Sequence, residues 1–379
     1  MDFEITAEQK EIQQKIREFS ECELKPKSAT IDCECKMPDD IVGKMSALGL
    51  MGMTIPKEYG GFGNTTVAYT IAIEELAKAC ASTAILMAVH NTLGVFPIIK
   101  FGSEELKRRY LPGMAKGELL GAFALTEPGA GSDATKISTT AKLKGDRYIL
   151  NGSKIFITSA PIADVIIVFA TTNPELKHRG ISAFVVEKNF KGYSIGAVED
   201  KLGIRGSKTS EIVMEDCEVP KENIIGSEGI GFKIAMATLD AGRIGVAAQA
   251  LGIAQGAFES AVKFAGERTQ FGSKISKHQW VQFTLSEMAT RIDAARLLIH
   301  RAAYNKDAGL KYSLEAAMAK MYASETAMWV AERAIQLHGG RGYLEEHNVE
   351  RFLRDAKITE IYEGTNEIQR IVIANNLGL

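Results

Sequence analysis

Near the C-terminus, the segment Ile361-Tyr362-Glu363-Gly364-Thr365-Asn366-Glu367-Ile368 sets a carboxylate between an aromatic residue and a glycine, directly before a helix-start signal at Thr365. A base at Glu363 could accept a proton, and the glycine beside it lets a ligand approach the backbone closely. Taken alone, the string more often describes a solvated turn. A second segment, Phe123-Ala124-Leu125-Thr126-Glu127-Pro128-Gly129-Ala130-Gly131-Ser132-Asp133, is a strand running into a Gly-rich turn with hydroxyls at Thr126 and Ser132. A third, Lys154-Ile155-Phe156-Ile157-Thr158, again places an aromatic residue near a threonine. Each is an ordinary strand end by itself. Together they offer backbone donors, hydroxyls and aromatic faces, which suit a flat heteroaromatic cofactor rather than a metal.

Type and spacing argue against several other chemistries. Cys22, Cys33, Cys35, Cys80 and Cys217 are scattered with no CxxC, so neither a disulfide framework nor a zinc site is supported. The six histidines, His90, His178, His278, His300, His338 and His347, show no HExxH, and no metal is expected. His338 reads as structural. Neither dinucleotide nor phosphate-loop motif is completed: Gly203 to Thr209 resembles a phosphate loop, but a strand follows it rather than a helix. A net charge of −2, with 46% hydrophobic and 24% charged residues, describes a globular chain without the basic face that nucleic acid or an anionic membrane needs. The acidic, amphipathic N-terminus reads as mature sequence. The apolar stretch Ala81 to Ile99 contains His90, Asn91 and Pro97, and is expected to be a buried helix rather than a membrane span. Asn91 and Thr92 either face a pocket or serve helix packing.

The hydrophobic periodicity describes the elements that must position these groups. Thr6 and Gln9 form a capping-box pattern, followed by helical spacing through Ile12, Ile16 and Phe19. Helical patterns recur over Ile41–Leu50, Ala68–Leu86 and Glu104–Met114, interrupted by the Gly/Pro-rich turn Pro56–Asn64. Short β-branched runs then take over: Phe123–Thr126, Thr139–Leu143, Arg147–Asn151, Val165–Thr171, Ile181–Glu187 and Glu211–Val219. Lys144-Gly145-Asp146 marks a hairpin, no helix-length pattern suggests parallel βαβ units, and a barrel or sandwich is expected. Ala-rich helices return over Ala241–Gly266, Lys277–Lys306, Ser313–His338 and Thr365–Leu377. Small residues on several faces of AAQALGIAQGAFESA predict that another subunit covers one of them. The expected domains are therefore helical over residues 1–119, β over 120–229 and helical over 230–379.

Seven motifs stand in one order and spacing: FALTEPGAGSDA, KIFIT, EDKLGIRGSKTSEIVMEDCEVP, GFKIAMATLDAGRIGVAAQALGIAQGA, ERTQFG, AIQLHGGRGY and RDAKITEIYEGTNEIQR. With them the chain resembles the acyl-CoA dehydrogenases over almost its whole length, and their short-chain (butyryl-CoA) branch most closely. The resemblance implies an α+β fold with an N-terminal helical domain, a middle β-barrel and a C-terminal four-helix bundle. It also implies FAD between the β domain and the C-terminal helices, and a homotetramer.

In that resemblance Glu363 matches the catalytic base, which removes the α-proton of an acyl thioester while the β-hydride passes to flavin N5. Tyr362 and Gly364 flank the substrate, and the backbone N–H of Glu363 contacts its carbonyl. Some members carry the base at the position of Gly242, where this chain has no side chain. Asp240 and Arg243 match CoA-binding positions; without the resemblance they read equally well as a surface pair on a helix. Phe123, Leu125, Thr126, Gly131 and Ser132 match the strand along the isoalloxazine, with Ser132 also near the pantetheine arm. Phe156, Ile157 and Thr158 match the second strand, with Thr158 donating to flavin N5. Many relatives have Trp at the position of Phe156 and Asn at that of Ser159. Arg268, Phe271 and Gln279 match residues that reach the FAD pyrophosphate and adenine half from a neighbouring subunit, as do Gln336, Leu337, Gly339 and Gly340. Thr365 and Glu367 complete the set.

The expected function is FAD-dependent dehydrogenation of a short-chain acyl-CoA to the 2-enoyl-CoA, with electrons passed to an electron-transfer flavoprotein. Alternatives are an alicyclic acyl-CoA substrate, the enoyl-CoA reductase direction, an acyl-CoA oxidase, and a non-catalytic flavin or CoA binder. The expected compartment is the bacterial cytoplasm, or the mitochondrial matrix for a eukaryotic chain freed of its transit peptide.

Overall fold

A computed structural model describes residues 4–379, leaving the first three residues of the acidic N-terminal segment outside the described part. Helices come first: α1 Ala7–Phe19, α2 Ser28–Cys33, α3 Ile41–Ala47, α4 Thr66–Ala79, α5 Ala81–Ala88, α6 Phe96–Phe101 and α7 Glu104–Ala115. At the start of α1 the capping box forms, with Gln9 N–H donating to Thr6 Oγ1 (3.2 Å) and Thr6 N–H to Gln9 Oε1 (2.9 Å). The helix expected over 68–86 is two helices, because Cys80 is extended (φ −151°, ψ 103°). Side chains from distant helices satisfy the carbonyls at this break: Arg351 donates to Ala79 O (3.2 Å) and Gln249 to Ala81 O (3.0 Å).

Between α5 and α6 the chain continues as a π-helical segment, Val89–Val95. By length and composition Ala81–Phe101 could cross a bilayer, yet residues 81–95 are all buried, packed on α4 and the strand domain among other elements. Its polar residues serve this packing. His90 Nδ1 accepts from Gly121 N–H (3.1 Å) while Nε2 donates to Met114 O (3.1 Å), and burial pushes the imidazole down to about 4. Asn91 donates to Leu50 O (3.0 Å) and Met87 O (3.1 Å) and accepts from Thr54, and Thr92 bonds Ala88 O (2.7 Å). Of the two expectations for Asn91 and Thr92, packing is the one realised.

The strands are β1 Gly121–Ala124, β2 Thr140–Lys144, β3 Arg147–Thr158, β4 Val165–Thr171, β5 Ile181–Glu187, β6 Tyr193–Val198, β7 Thr209–Pro220 and β8 Ile224–Ile225. They order as β6-β7-β3-β2-β4-β5-β8, with β1 pairing β4. The hairpin at Gly145 joins β2 to β3 in register from Thr140↔Asn151 to Lys144↔Arg147. Two differences from expectation have local causes. The runs 147–151 and 154–158 belong to one strand, β3, whose register against β7 shifts at Leu150/Gly152 and Lys154/Ile157 and so breaks the alternation. Parallel pairing also occurs, β1 with β4 over four residues and β2 with β4 at Thr140↔Thr171, without any helical crossover. The sheet rolls until β1 meets β3 and β5 meets β7, enclosing Ala124, Leu150, Ile166, Val168, Phe184 and Met214. The opposite faces of β4 and β5 pack on α6, α7 and the start of the next helix, which explains their unbroken apolar runs.

The C-terminal helices are α8 Gly231–Glu267, α9 Gln279–Asp307, α10 Ser313–His338, α11 Val349–Thr359 and α12 Asn366–Asn376. α8 is buried without interruption from Ala241 to Ala254 and packs on α10, α4, α9 and α11. The phosphate-loop look-alike docks the β domain on α11. Ile204 N–H donates to Asp355 Oδ1 (2.5 Å), and the backbones lie so close that a Cβ at Gly203 would stand 2.7 Å from Asp355 N.

Candidate active site

Glu363 and Gly364 lie in the turn between α11 and α12, and both are left-handed (φ 53° and 91°). Left-handed backbone is uncommon for a residue with a side chain, so contacts must hold Glu363 there. Thr365 caps α12 through Ile368 N–H (3.3 Å), and Gln369 Nε2 donates to Gly364 O (2.8 Å) and Glu363 O (3.3 Å). From α10, Lys320 Nζ donates to Gly364 O and to Asn366 Oδ1, both at 2.9 Å. The turn carries its carboxylate inward, against α8.

Gly242 makes room for it. A Cβ at this position would stand 2.8 Å from Glu363 Cδ and 2.9 Å from Leu93 Cδ2 of the π-helical segment. Glu363 Oε2 is enclosed with no hydrogen-bond partner, and burial pushes the carboxyl up to about 8 against the opposing pull of Arg243 and Lys320. A half-buried carboxylate whose enclosed oxygen no donor satisfies keeps a high affinity for a proton, as a general base requires. The backbone N–H of Glu363 donates to no group among the described residues. Tyr362 OH bonds Gln249 Oε1, so Tyr362 forms part of the wall rather than a free polar group.

Arg243 and Asp240 are not a surface pair. Arg243 is buried and donates from Nη1 to Asp240 Oδ1 (2.5 Å), which also accepts from Ser313 Oγ (3.0 Å), and Arg243 Nε has no partner. Burial raises the Asp240 carboxyl and lowers the Arg243 guanidinium.

The strand domain reaches this site through β1, which packs on the π-helical segment that carries Leu93. Ile155 N–H donates to Thr126 O (2.9 Å), so the chain after β1 runs beside the end of β3. Leu125 and Ile157 are buried, Phe123, Thr126 and Thr158 half-buried, and Gly131 and Ser132 exposed. Phe156 is left-handed (φ 59°) and 60% exposed, an aromatic ring with most of its surface open. Ser159, also left-handed, encloses an unpartnered hydroxyl. Exposed aromatic surface and an unsatisfied hydroxyl beside half-buried Thr158 fit a flat polar ring system. Beneath lies a buried ion pair, Lys154–Glu127 (2.7 Å). Glu127 also accepts from the N–H and hydroxyl groups of Ser138 and Thr139, and Lys154 donates to Leu125 O (3.1 Å). Burial pushes the Glu127 carboxyl up, but the Lys154 ammonium and these hydrogen bonds outweigh it and hold the carboxyl down to about 2.

The remaining expected residues gather elsewhere. Arg268 follows the last residue of α8 and lines a depression with Phe264, Glu267, Thr269 and Arg341. Phe271 is left-handed and 95% exposed in the following turn; Gln279, Gln336, Gly339 and Gly340 are exposed and Leu337 is buried. His338 is structural, stacked on Phe264 (4.4 Å) and bonded to Ala334 O (2.7 Å). Along α8, Arg268 stands roughly 39 Å from Gly242, a separation that one FAD molecule does not span. Thr365 is the α12 cap and Glu367 is exposed.

Family models for the acyl-CoA dehydrogenase N-terminal, middle and C-terminal domains match residues 6–118, 122–217 and 229–378. The chain belongs to the acyl-CoA dehydrogenase family. This acyl-CoA dehydrogenase is 51% identical over 377 residues to the short-chain specific acyl-CoA dehydrogenase of Clostridium acetobutylicum, covering 100% of both chains. It is similar to the butyryl-CoA dehydrogenase of Megasphaera elsdenii (TM-score 0.98, 44% identity, 100% of both chains). It is equally similar to a chain solved in work on the electron-transferring flavoprotein of Acidaminococcus fermentans (TM-score 0.98, 50% identity), covering 100% of this chain and 99% of that one.

Reading residues in sequence misses Lys320, Gln369 and the Lys154–Glu127 pair. The signal for Lys320 is slight: one lysine in the Ala-rich run AAMAKMYA, where a helix otherwise buries small apolar residues.

Proposed function

We propose that this acyl-CoA dehydrogenase converts short-chain acyl-CoA thioesters to 2-enoyl-CoA, uses FAD, and passes electrons to an electron-transfer flavoprotein. The observation that carries the reading is the half-buried Glu363 carboxylate, whose Oε2 is enclosed without a partner against Gly242 and which is raised in proton affinity. It accepts the α-proton as the α C–H bond breaks. The free N–H of Glu363 suits the thioester oxygen, where negative charge develops. The chemistry FAD supplies when bound is acceptance of the β-hydrogen with its electron pair. Phe123, Leu125, Thr126, Gly131, Ser132, Phe156, Ile157 and Thr158 hold the ring end, beside Thr365 and Glu367. Asp240 and Arg243 hold the CoA part of the substrate.

The separation along α8 supports assigning Arg268, Phe271, Gln279, Gln336, Leu337, Gly339 and Gly340 to the FAD of a neighbouring copy in a homotetramer. Arginine at position 268 supplies a planar fork for pyrophosphate. A soluble compartment fits this reading: the cytoplasm of a bacterium, or the mitochondrial matrix of a eukaryote.

The test is anaerobic mixing of the purified yellow protein with butyryl-CoA. Bleaching of the flavin, recovered on adding electron-transfer flavoprotein, is expected; a flavin that stays oxidised with linear, branched and alicyclic acyl-CoAs overturns the reading. Glu363→Gln is expected to retain FAD and bind acyl-CoA while bleaching slows about 10²–10⁴-fold.

A further inference from the structure

Lys320 is fully buried in α10, and its ammonium has two acceptors, Gly364 O and Asn366 Oδ1, both at 2.9 Å. Asn366 is fixed in turn by Ser324, to which its Nδ2 donates (3.0 Å). The carbonyl directly after the base is therefore pinned from α10 by Lys320 and from α12 by Gln369 (2.8 Å). Glu363 holds a left-handed backbone (φ 53°) that is strained for a residue with a Cβ and persists only where surroundings enforce it. A buried ammonium needs acceptors wherever it lies, and Lys320 takes both of its own from the residues that directly follow the base.

We propose that Lys320 is a positioning residue for Glu363: one buried ammonium anchors the turn that aims the carboxylate and brings a positive charge to the base's side of the site. The inference rests on Glu363 being the base.

The charged and titratable groups around the pair come from four elements. Glu363 feels Arg243 of α8 and Lys320 of α10, while Tyr69 of α4 and its neighbour Tyr362 face it as phenols. Lys320 feels Glu363 first, then Arg243, Glu360 and Glu367. Arg243 already has Asp240 at 2.5 Å, which offsets part of its pull on Glu363. Asn366 and Gly364 offer Lys320 only neutral oxygens, so its charge acts on Glu363 without a carboxylate bound to it. Burial pushes the Lys320 ammonium down while Glu363 holds it up, and Lys320 in turn holds the Glu363 carboxyl down, so the two titrate as a pair.

The experiment uses the holoenzyme and two readouts: difference infrared titration of the Glu363 carboxyl, identified by its loss in Glu363→Gln, and anaerobic flavin reduction by butyryl-CoA across pH. Lys320→Met is expected to raise the carboxyl midpoint and to slow reduction at least about threefold at pH 7, with recovery as pH rises. Butyryl-CoA affinity is expected to stay within about twofold, because Lys320 is fully buried and its ammonium bonds to Gly364 O and Asn366 Oδ1. Lys320→Arg, which keeps the charge, should hold the midpoint near that of the wild type. An unmoved carboxyl midpoint in Lys320→Met overturns the proposal. If Lys320→Met does not accumulate as folded holoenzyme, Asn366→Ala is read instead. It removes one anchor and leaves the ammonium, so slower reduction with an unmoved midpoint supports the proposal and a wild-type rate overturns it. Wild-type protein that butyryl-CoA does not reduce is a failure of the proposed function, whereas the infrared midpoints still judge Lys320 without any substrate.

Discussion

The carboxylate of Glu363 occupies the space that a side chain on Gly242 would take, with an added Cβ only 2.8 Å from its Cδ and closer still to Oε2. The two residues are far apart in the chain, and α8 is buried where they meet. Gly242→Ala should therefore push the base out of line although it suits the helix better, by about 1 kcal/mol in propensity. We expect flavin reduction by butyryl-CoA to fall at least about tenfold with FAD content retained, since small misplacements of catalytic groups are costly. Stopped-flow reduction of the purified variant checks this, and a rate equal to wild type would falsify the placement.

Burial of Glu363 has a consequence for stability as well as for rate. The unfolded chain releases this proton near pH 4.3, whereas the folded protein holds it to about 8, so the fold loses stability as pH rises through that window. Glu363→Gln should melt a few degrees higher than wild type at pH 9 and show no gain at pH 4. Thermal melts of the two proteins at both pH values, without acyl-CoA, decide it; equal melting temperatures at pH 9 would contradict an enclosed carboxylate. In wild type the flavin reduction rate is expected to climb with pH toward about 8.

The Lys154–Glu127 pair braces the strand ends that carry Leu125 and Thr126. Lys154→Met leaves Glu127 buried without its counter-charge and should cost about 3–5 kcal/mol, whereas the double variant with Glu127→Gln should be less damaged than the single one. Denaturant unfolding gives both values. A double variant as unstable as Lys154→Met would show that lost packing, not an unpaired charge, is the cause.

Arg268 stands beyond the far end of α8 from Gly242, and its proposed role lies in a neighbour's cofactor site. Arg268→Ala should weaken FAD retention about tenfold while leaving helicity unchanged. The ratio of flavin to protein absorbance after dilution and gel filtration reports this. Light scattering is expected to find a tetramer in the wild type, and a monomer that holds FAD fully would be inconsistent with a shared site.

Much of the scaffold is legible in local sequence. The Thr6/Gln9 capping box, the hairpin at Gly145, the strands Val165–Thr171 and Ile181–Glu187, and the helix Ser313–His338 all follow from turn chemistry and hydrophobic period, which act between near neighbours. The helix–strand–helix order follows from the same signals. Where distant side chains satisfy the backbone, local signals mislead: the break at Cys80 depends on Gln249 and Arg351, and the continuity of β3 depends on its bulged pairing with β7. The 11-residue α11 does not stand out in the sequence, although the loop at Ile204 docks on it.

For the site, residue order along the chain places a carboxylate beside a glycine before a helix and aromatic rings and hydroxyls at the strand ends, and seven motifs in order carry a resemblance to a flavin enzyme family. Tertiary structure alone decided what that carboxylate feels. Its proton affinity arises from desolvation and from the charges of Arg243 and Lys320, which reach Glu363 only when α8, α10 and the α11–α12 turn pack together. Electrostatic energy depends on distance and on excluded water, and neither is written in the spacing of residues along a chain.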